Sequence, residues 1–541
     1  MTMPLLVEHF DNLLATPEDV ELLNRAILQL AVSGKLVKQN PEDEPASKLL
    51  ITIQQKIESI NGANHKYDSD NFIAPFSLPS NWVWSELGKI CVVIMGQSPP
   101  SNTYNSIKSG LPFYQGKKDF GEMFPNPTQW CSEPSKIAEE NDVLVSVRAP
   151  VGPTNLCQED SCIGRGLAAL RSVGGILPKY ILYAMRAFEQ QLAEKGSGTT
   201  FVAISAKDLY TFPFPLPPFA EQQRIVARVE ELFVQTRALA KELVHSQIEL
   251  DGLSQSALSH LLASETPDEF NQHWDFIAEH FDLLFQTPEH VAPLRQSILE
   301  LAVRGKLTRR KTGDESAGEL LKRINKEKPL PPIEENEKPF DLPEGWEWVR
   351  LENIVSVLGD GLHGTPEYAD DGEYFFVNGN NLSDGEIEIK KNTKRVSQSE
   401  YDKYKKELNS RTVFVSINGT IGNLAFYNNE KIILGKSACY FNLLDEVDKF
   451  YIGILIRSPY FLDYARMVAS RTTISNVSLK SMRQLMIPLP PLAEQERIVK
   501  RVEQLLSLCD ALEARLQSAE EERGRLVAAV MSTVGTTEVK E

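Results

Sequence analysis

A chain of 541 residues is too long for a single hydrophobic core and is expected to divide into several units at roughly 100–200 residues each. Hydrophobic residues at 42% and charged residues at 24% are ordinary globular values. The first residues, up to Asp11, lack the basic start and apolar run of a signal peptide, and no stretch approaches the roughly 18 apolar residues of a membrane span, so a cytoplasmic protein with no membrane partner is expected. The formal net charge of −17 argues at first sight against nucleic acid. That charge is unevenly placed: residues 76–218 hold 12 basic and 12 acidic side chains and residues 340–491 hold 17 and 20, so the two blocks together carry −3 and the other −14 lies outside them. A local positive face is all that DNA handling needs. The six cysteines, Cys91, Cys131, Cys157, Cys162, Cys439 and Cys509, form no CxxC pair and stand at no zinc-finger spacing from histidine, which predicts buried free thiols and no metal.

In chain order, a helical lead comes first, with Ile27, Leu28, Leu30 and Ala31 on its apolar side and Gly34 as its C-terminal cap. Residues 38–75 are charged and rich in Pro, Asn and Glu, and read as a linker or loop; the acidic first segment, 1–75, carries a net −5. A body over 76–218 opens on a proline-led aromatic turn, Leu78, Pro79, Trp82 and Trp84, continues as short β-branched runs such as Gly110–Gly121, and includes a helix over Pro178–Glu194. After Pro217 and Pro218 a long helix is predicted from Ala220 to Ala263, its apolar seam running Ile225, Val229, Leu232, Leu239, Leu243 with Thr236 as the one polar interruption. The same succession then returns. A second lead carries Ile298, Leu299, Leu301 and Ala302 before Gly305, and a second linker spans 309–339. A second body over 340–491 opens on Leu342, Pro343, Trp346 and Trp348, has strand-like runs from Tyr374 to Ile389, and has a helix over Lys449–Met467. Past Pro490 and Pro491 a second seam runs Ile498, Val502, Leu505, Cys509, Leu512, Leu516.

The chain is thus one unit written twice. Residues 9–37 align without gaps on 280–308 with 17 identities in 29 positions, FSLPSNWVWSELGKI (76–90) matches FDLPEGWEWVRLENI (340–354), and PLPPFAEQQRIVARVEEL (215–232) matches PLPPLAEQERIVKRVEQL (488–505). Between these edges the bodies have diverged, leaving echoes such as VLVSVRAPVG (143–152) beside VFVSINGTIG (413–422) and GTTFVAIS (198–205) beside RTTISNVS (471–478). One frame with two fillings suggests one kind of job done on two targets. Both seams start at the same point of the repeat, which favours two long helices lying side by side as a stiff spacer over the plainer alternative of ordinary core helices.

The duplicated phrases LPSNWVWSELG (78–88) and LPEGWEWVRLE (342–352), PLPPFAEQQRIV (215–226) and PLPPLAEQERIV (488–499), and LAVSGKL (30–36) and LAVRGKL (301–307) resemble the specificity (S) subunits of type I restriction-modification systems over nearly the whole chain. The resemblance implies an α+β fold of two α/β target recognition domains in tandem, separated and followed by long helices that form an antiparallel coiled-coil spacer, a pseudo-two-fold internal repeat. The divisions are 1–75 (helical lead and linker), 76–218 (target recognition domain 1), 219–339 (central helical spacer and linker), 340–491 (target recognition domain 2) and 492–541 (C-terminal helical spacer). The resemblance also implies a non-catalytic subunit that binds double-stranded DNA at a bipartite target. Its partners would be two methyltransferase (M) subunits, which would hold the S-adenosylmethionine, and the restriction (R) subunits.

Inside the bodies, the loops FYQGKKDF (113–120) and FFVNGNNL (375–382) place amide and amine donors around a glycine. Asn and Gln pair with adenine edges and Lys with guanine or phosphate, so Gln115, Lys117, Lys118, Asn378, Asn380 and Asn381 are candidate readout residues, though the same residue types populate ordinary hairpin turns. Arg148, Arg165, Lys436 and the pairs Thr199–Thr200 and Thr472–Thr473 are weaker candidates for phosphate contact. Enzyme readings find little. LGKSA (434–438) ends like a phosphate-binding loop, but Glu430 stands where that loop needs glycine. Asp370 or Asp371 with Glu388 and Lys390 could make a nuclease set, but Glu386, Glu388, Lys390 and Lys391 read more simply as the solvated face of a strand. No Asn/Asp-Pro-Pro-aromatic tetrad for amino-methylation is present. The rival from another class is a coiled-coil scaffold whose bodies bind proteins.

Overall fold

In both bodies a central strand is buried at every position, VLVS at 143–146 and TVFVS at 412–416, because its sheet is covered on both faces. The computed structural model describes residues 14–61, 74–196, 202–324, 332–469 and 476–535. The chain divides into two compact units, 1–247 with 522–541, and 248–521, described below in turn.

In the first unit, helix α1 (Pro17–Val32) starts at a capping box between Thr16 and Asp19. Helix α2 (Ala46–Asn61) follows, then strands β1 (Val83–Glu86), β2 (Cys91–Met95), β3 (Leu111–Tyr114), β4 (Val143–Ser146), β5 (Thr154–Leu156), β6 (Ser161–Ile163) and β7 (Leu167–Ser172), helix α3 (Pro178–Ala187), strand β8 (Pro213–Leu216) and the 44-residue helix α4 (Phe219–Leu262), which passes into the second unit. The main sheet is antiparallel in the order β2-β7-β4-β5. A smaller mixed sheet holds β3 and β6 in parallel, Phe113 opposite Cys162 and Tyr114 opposite Ile163. Strand alternation explains the layering. Val143 and Val145 face the helices and pack with Tyr180 and Ile181, while Leu144 faces the mixed sheet and packs with Tyr114 and Ile163. β1 pairs with β8, Val83 opposite Leu216, so the two ends of the body meet in one two-stranded sheet.

The second unit repeats this order. Helices α5 (Val291–Val303) and α6 (Ala317–Ile324) precede strands β9 (Glu347–Arg350), β10 (Val355–Asp360), β11 (Tyr374–Val377), β12 (Arg395–Val396), β13 (Thr412–Ser416), β14 (Leu424–Phe426), β15 (Ile432–Leu434) and β16 (Ala438–Leu443). Helix α7 (Lys449–Arg457), strand β17 (Met486–Leu489) and the 44-residue helix α8 (Leu492–Gly535), whose residues from 522 onward belong to the first unit, follow. The main sheet runs β10-β16-β13-β14, β11 and β15 are parallel, and β9 pairs with β17. Here Val413 and Val415 lie in the helical core, and Phe414 packs with Val377 and Leu434 under the mixed sheet.

The segments 38–75 and 309–339, expected as linkers or loops, each contain a helix, α2 and α6. Ala46, Ile53 and Ile57 in one, and Ala317, Leu320 and Leu321 in the other, are buried on one helical face. The charged side chains on these helices, Lys48, Lys56 and Glu58 in one and Glu319, Lys322 and Arg323 in the other, are exposed. All six cysteines are free and buried, as expected, and burial pushes the thiols of Cys91 and Cys439 well above the ordinary range.

The phrases shared by the two copies form one hydrogen-bonded knot in each unit. Gly34, at a φ of +70°, closes α1 as Lys35 N–H reaches the Leu30 carbonyl at 3.0 Å; Gly305, at +69°, does the same for α5 as Lys306 N–H reaches Leu301 at 2.9 Å. A Cβ on Gly34 would stand 2.4 Å from Pro79 Cγ, and one on Gly305 2.5 Å from Pro343 Cγ. The next tryptophan in each leading phrase donates to a buried glutamate of the closing phrase, Trp82 Nε1 to Glu221 at 2.9 Å and Trp346 Nε1 to Glu494 at 3.2 Å. Each glutamate takes a second donor, Gln39 or Thr308, yet burial still pushes its carboxyl above the usual glutamate value. The following glutamines, Gln222 and Gln495, accept from Leu177 N–H and Asp448 N–H and thereby cap α3 and α7. Arg224 pairs with Asp43, and Arg497 with Asp314.

The lead helices pack on the long helices at matching positions. Thr236, the polar interruption of the first seam, is buried and donates to Asn24 Oδ1 at 2.7 Å; Arg295, the counterpart of Asn24, pairs with Asp510 and Glu513. Two glycines separate strain from propensity. Gly305→Ala places a Cβ in the left-handed region and against Pro343, and is expected to cost about 1–3 kcal/mol. Gly252→Ala, inside α4 with nothing within 4 Å of the added Cβ, is expected to gain about 0.5–1 kcal/mol. Thermal unfolding of both variants checks this, and equal midpoints would contradict it.

Candidate nucleic-acid interface

Antiparallel order places the C-terminal ends of β2 and β4 and the N-terminal ends of β7 and β5 at one edge of the main sheet, since Met95 pairs with Ala168, Leu167 with Ser146 and Val145 with Thr154. β6 runs into β7 through the tight turn Gly164–Arg165–Gly166, so the parallel strands β3 and β6 end at that same edge. Four loops therefore converge there: 96–98, 115–118, 147–150 and 164–166. Their backbones interlock. Gly164 N–H donates to the Tyr114 carbonyl at 2.8 Å, Val147 N–H to Gly166 at 2.9 Å and Gln97 N–H to Ile163 at 3.0 Å. A Cβ on Gly96 would meet the Gly164 carbonyl at 2.2 Å, so a glycine is required where the first strand turns away.

The second unit builds the same edge from loops 361–364, 378–381, 417–420 and 435–437. Gly435 N–H donates to Val377 at 2.8 Å, Ile417 N–H to Ser437 at 3.0 Å and Leu362 N–H to Leu434 at 2.7 Å. Gly361 stands as close to Gly435 as Gly96 does to Gly164.

Most of the residues singled out from the sequence come together on these edges. On the first, Lys117, Lys118, Arg148 and Arg165 lie on the surface, and none forms an ion pair among the described residues. Gln115 is half-buried and its Nε2 donates to Gln129 at 2.7 Å. On the second, Asn380 and Lys436 are exposed. Asn378 is half-buried and its Oδ1 accepts from the Ser437 hydroxyl at 3.2 Å. Asn381 differs from the rest, because it is buried and its whole amide is used in bonds within the loop and to the turn that follows it. Its Oδ1 accepts from Asn378 N–H at 3.1 Å, and its Nδ2 donates to Glu388 O and Thr393 Oγ1. The corresponding loop-closing group of the first lobe is the Asp119 carboxylate, which accepts from the N–H groups of Gln115 and Gly116. Thr199, Thr200, Thr472 and Thr473 lie outside the described residues.

Three further side chains stand on the edges and were not singled out: Gln97, His363 and Asn418. Asn418 occupies the place of Arg148 in the echo VLVSVRAPVG/VFVSINGTIG, so that alignment held the signal. Gln97 and His363 follow the two close-approach glycines, in stretches with little likeness between the copies. His363 pairs with Asp360. The residues weighed for enzyme readings are placed otherwise: Glu388 lies 3.4 Å from Lys390, and among the described residues no group of three or more His, Cys, Asp or Glu side chains could hold a metal ion.

Comparison with known proteins agrees with this doubled architecture. The type I restriction modification DNA specificity domain matches the chain twice, over 79–249 and 343–521. The chain belongs to this family. It is 27% identical to the type I restriction enzyme EcoEI specificity subunit and 28% to the EcoAI specificity subunit, both of Escherichia coli, each over 93% of this chain and 91% of the relative. Among solved structures, the HsdS subunit from Thermoanaerobacter tengcongensis is 42% identical over 36% of this chain and 46% of that one, with a TM-score of 0.29. The S subunit from M. genitalium is 13% identical over 86% of this chain and 99% of that one, with a TM-score of 0.29. Members of the family are non-catalytic DNA specificity subunits that act with methyltransferase and restriction subunits. No described helix is long and apolar enough to cross a membrane.

The two asparagines at the tip of the 378–381 loop should respond differently to truncation. Asn381→Ala leaves buried donors and acceptors without partners and is expected to cost about 1–3 kcal/mol. Asn380→Ala, exposed, is expected to stay within about 0.5 kcal/mol of the unaltered chain. Denaturant unfolding of both variants is the check.

Proposed function

We propose that the chain reads a bipartite target in double-stranded DNA, one half with the four-loop edge of each lobe. The observation that carries the reading is the edge itself. In two lobes of diverged sequence, the same four connections converge and present surface groups suited to phosphates and base edges: Lys117, Lys118, Arg148 and Arg165 in one, Asn380 and Lys436 in the other. Each good bidentate base contact is worth about 1–3 kcal/mol of discrimination, so one lobe alone reads only a few base pairs and two lobes add their discrimination.

In this reading α4 and α8, each about 66 Å long at 1.5 Å per residue, form the antiparallel coiled-coil spacer that sets the gap between half-sites. Two methyltransferase subunits dock around the helices and hold the S-adenosylmethionine, and restriction subunits join them. The duplicated start of both seams and the family membership support this assembly.

Selection from a random-sequence duplex pool by the chain together with its methyltransferase partner is expected to enrich a gapped motif. No enrichment at any salt concentration would refute DNA readout and favour a protein-binding scaffold. Exchanging residues 76–218 for the equivalent body of a relative is expected to change one half of the motif only; a change in both halves would contradict independent lobes.

A further inference from the structure

Beside the candidate readout loop of the second lobe lies a basic turn with no equivalent in the first. Residues 382–411 carry eight Lys or Arg and six Asp or Glu, whereas the corresponding connection of the first lobe, 119–143, carries one Lys and six acidic residues. Four of those cations, Lys390, Lys391, Lys394 and Arg395, fall within six positions, and all four lie on the surface.

This turn is a built structure. Thr393 N–H donates to the Lys390 carbonyl at 2.9 Å, and Lys390 N–H donates to the Thr393 hydroxyl at 2.9 Å. Asn381 fastens it to the 378–381 loop, through its Nδ2 bonds to Thr393 Oγ1 at 3.2 Å and Glu388 O at 3.0 Å. Lys390 is spent on this junction, since its Nζ donates to Asn380 O at 2.9 Å and lies 3.4 Å from Glu388. The other three cations have no carboxylate partner among the described residues. Lys394 sits 5.7 Å above the Tyr368 ring and Arg395 5.0 Å above Phe375, contacts that orient the side chains while leaving their charge available. Asp370 and Asp371, on the neighbouring turn held by the Ala369 N–H bond to Arg395 O, form no ion pair with them.

We propose that Lys391, Lys394 and Arg395 form a phosphate-backbone contact for duplex DNA that serves the second lobe alone, with Asn381 as its positioning residue. This rests on the DNA-reading function proposed above. Fixed cations flanking a loop that faces base edges set its register on the backbone and carry no base preference of their own. The first lobe needs no such addition, because Lys117, Lys118, Arg148 and Arg165 already stand on its edge.

The test is a salt series of binding to a random duplex and to the enriched duplex, using the chain with its methyltransferase partner. The triple variant Lys391→Gln, Lys394→Gln, Arg395→Gln is expected to make the slope of log affinity against log salt shallower by about 2–3, at about 0.9 for each phosphate no longer neutralised. It is also expected to weaken both duplexes alike and leave the selected motif unchanged. Asn381→Ala is expected to reduce the slope and also to blur the second half of the motif. An unchanged slope, a shift in the motif with the triple variant, or release of the methyltransferase partner in place of DNA would each overturn the proposal. The random-duplex measurement needs no motif, so failure of the unaltered chain to enrich one would strike the bipartite reading separately.

Discussion

A buried carboxylate that must be given donors organises this protein. Glu221 and Glu494 are almost wholly removed from water, and a charge so placed is tolerated only when its oxygens are hydrogen-bonded. The donors are Trp82 and Gln39 in one unit and Trp346 and Thr308 in the other, groups drawn from segments far apart in the chain. The same tryptophans pack on the glycine that ends the lead helix, and the adjacent glutamines cap the lobe helices. Lead helix, body and long helix are thereby held at one point. None of these positions tolerates a different side chain without exposing an unpaired group or closing a gap that only glycine leaves open.

That constraint explains the contrast between matched edges and diverged bodies. The knot residues interact with one another, so changing one strands its partner. The loops on the sheet edge interact mainly with solvent at their tips, and their backbones are held by bonds that are indifferent to side-chain identity, such as Gly164 to Tyr114 and Gly435 to Val377. A sheet buried on both faces supplies a stiff platform from below. Side chains on the edge can therefore be exchanged without disturbing the fold, which is the property a specificity subunit requires.

The two edges have taken different chemistry from that freedom. The first is cationic at its tips, whereas the second combines the amides of Asn380 and Asn418 with Lys436 and His363 and keeps further cations on an attached turn. Asn381 links the two parts of the second edge. A side chain expected from the sequence to face outward is instead the internal fastening on which the position of its neighbours depends.

The repeat, the seams, the capping glycines and the apolar strands are legible in the sequence because each is written in local spacing: period two for a strand, three and four for a helix, a Gly at the end of an apolar run. The partner of Trp82 is 139 residues away and that of Asn24 is 212 residues away, so no local pattern names them. Gathering Gln97, Gln115, Arg148 and Arg165 on one edge depends on the strand order β2-β7-β4-β5 and on the parallel pairing of β3 with β6, both decided by how the sheets pack. The helices within 46–61 and 317–324 were obscured by charge, since the sequence shows a helix's solvated face as plainly as its buried one and only packing tells them apart. By itself the sequence determined that one unit occurs twice, with matched phrases flanking each diverged body. Which loop residues turn outward, and which are consumed in holding the loop, was decided by tertiary contacts, because a polar side chain bonds to whatever the folded backbone brings within reach.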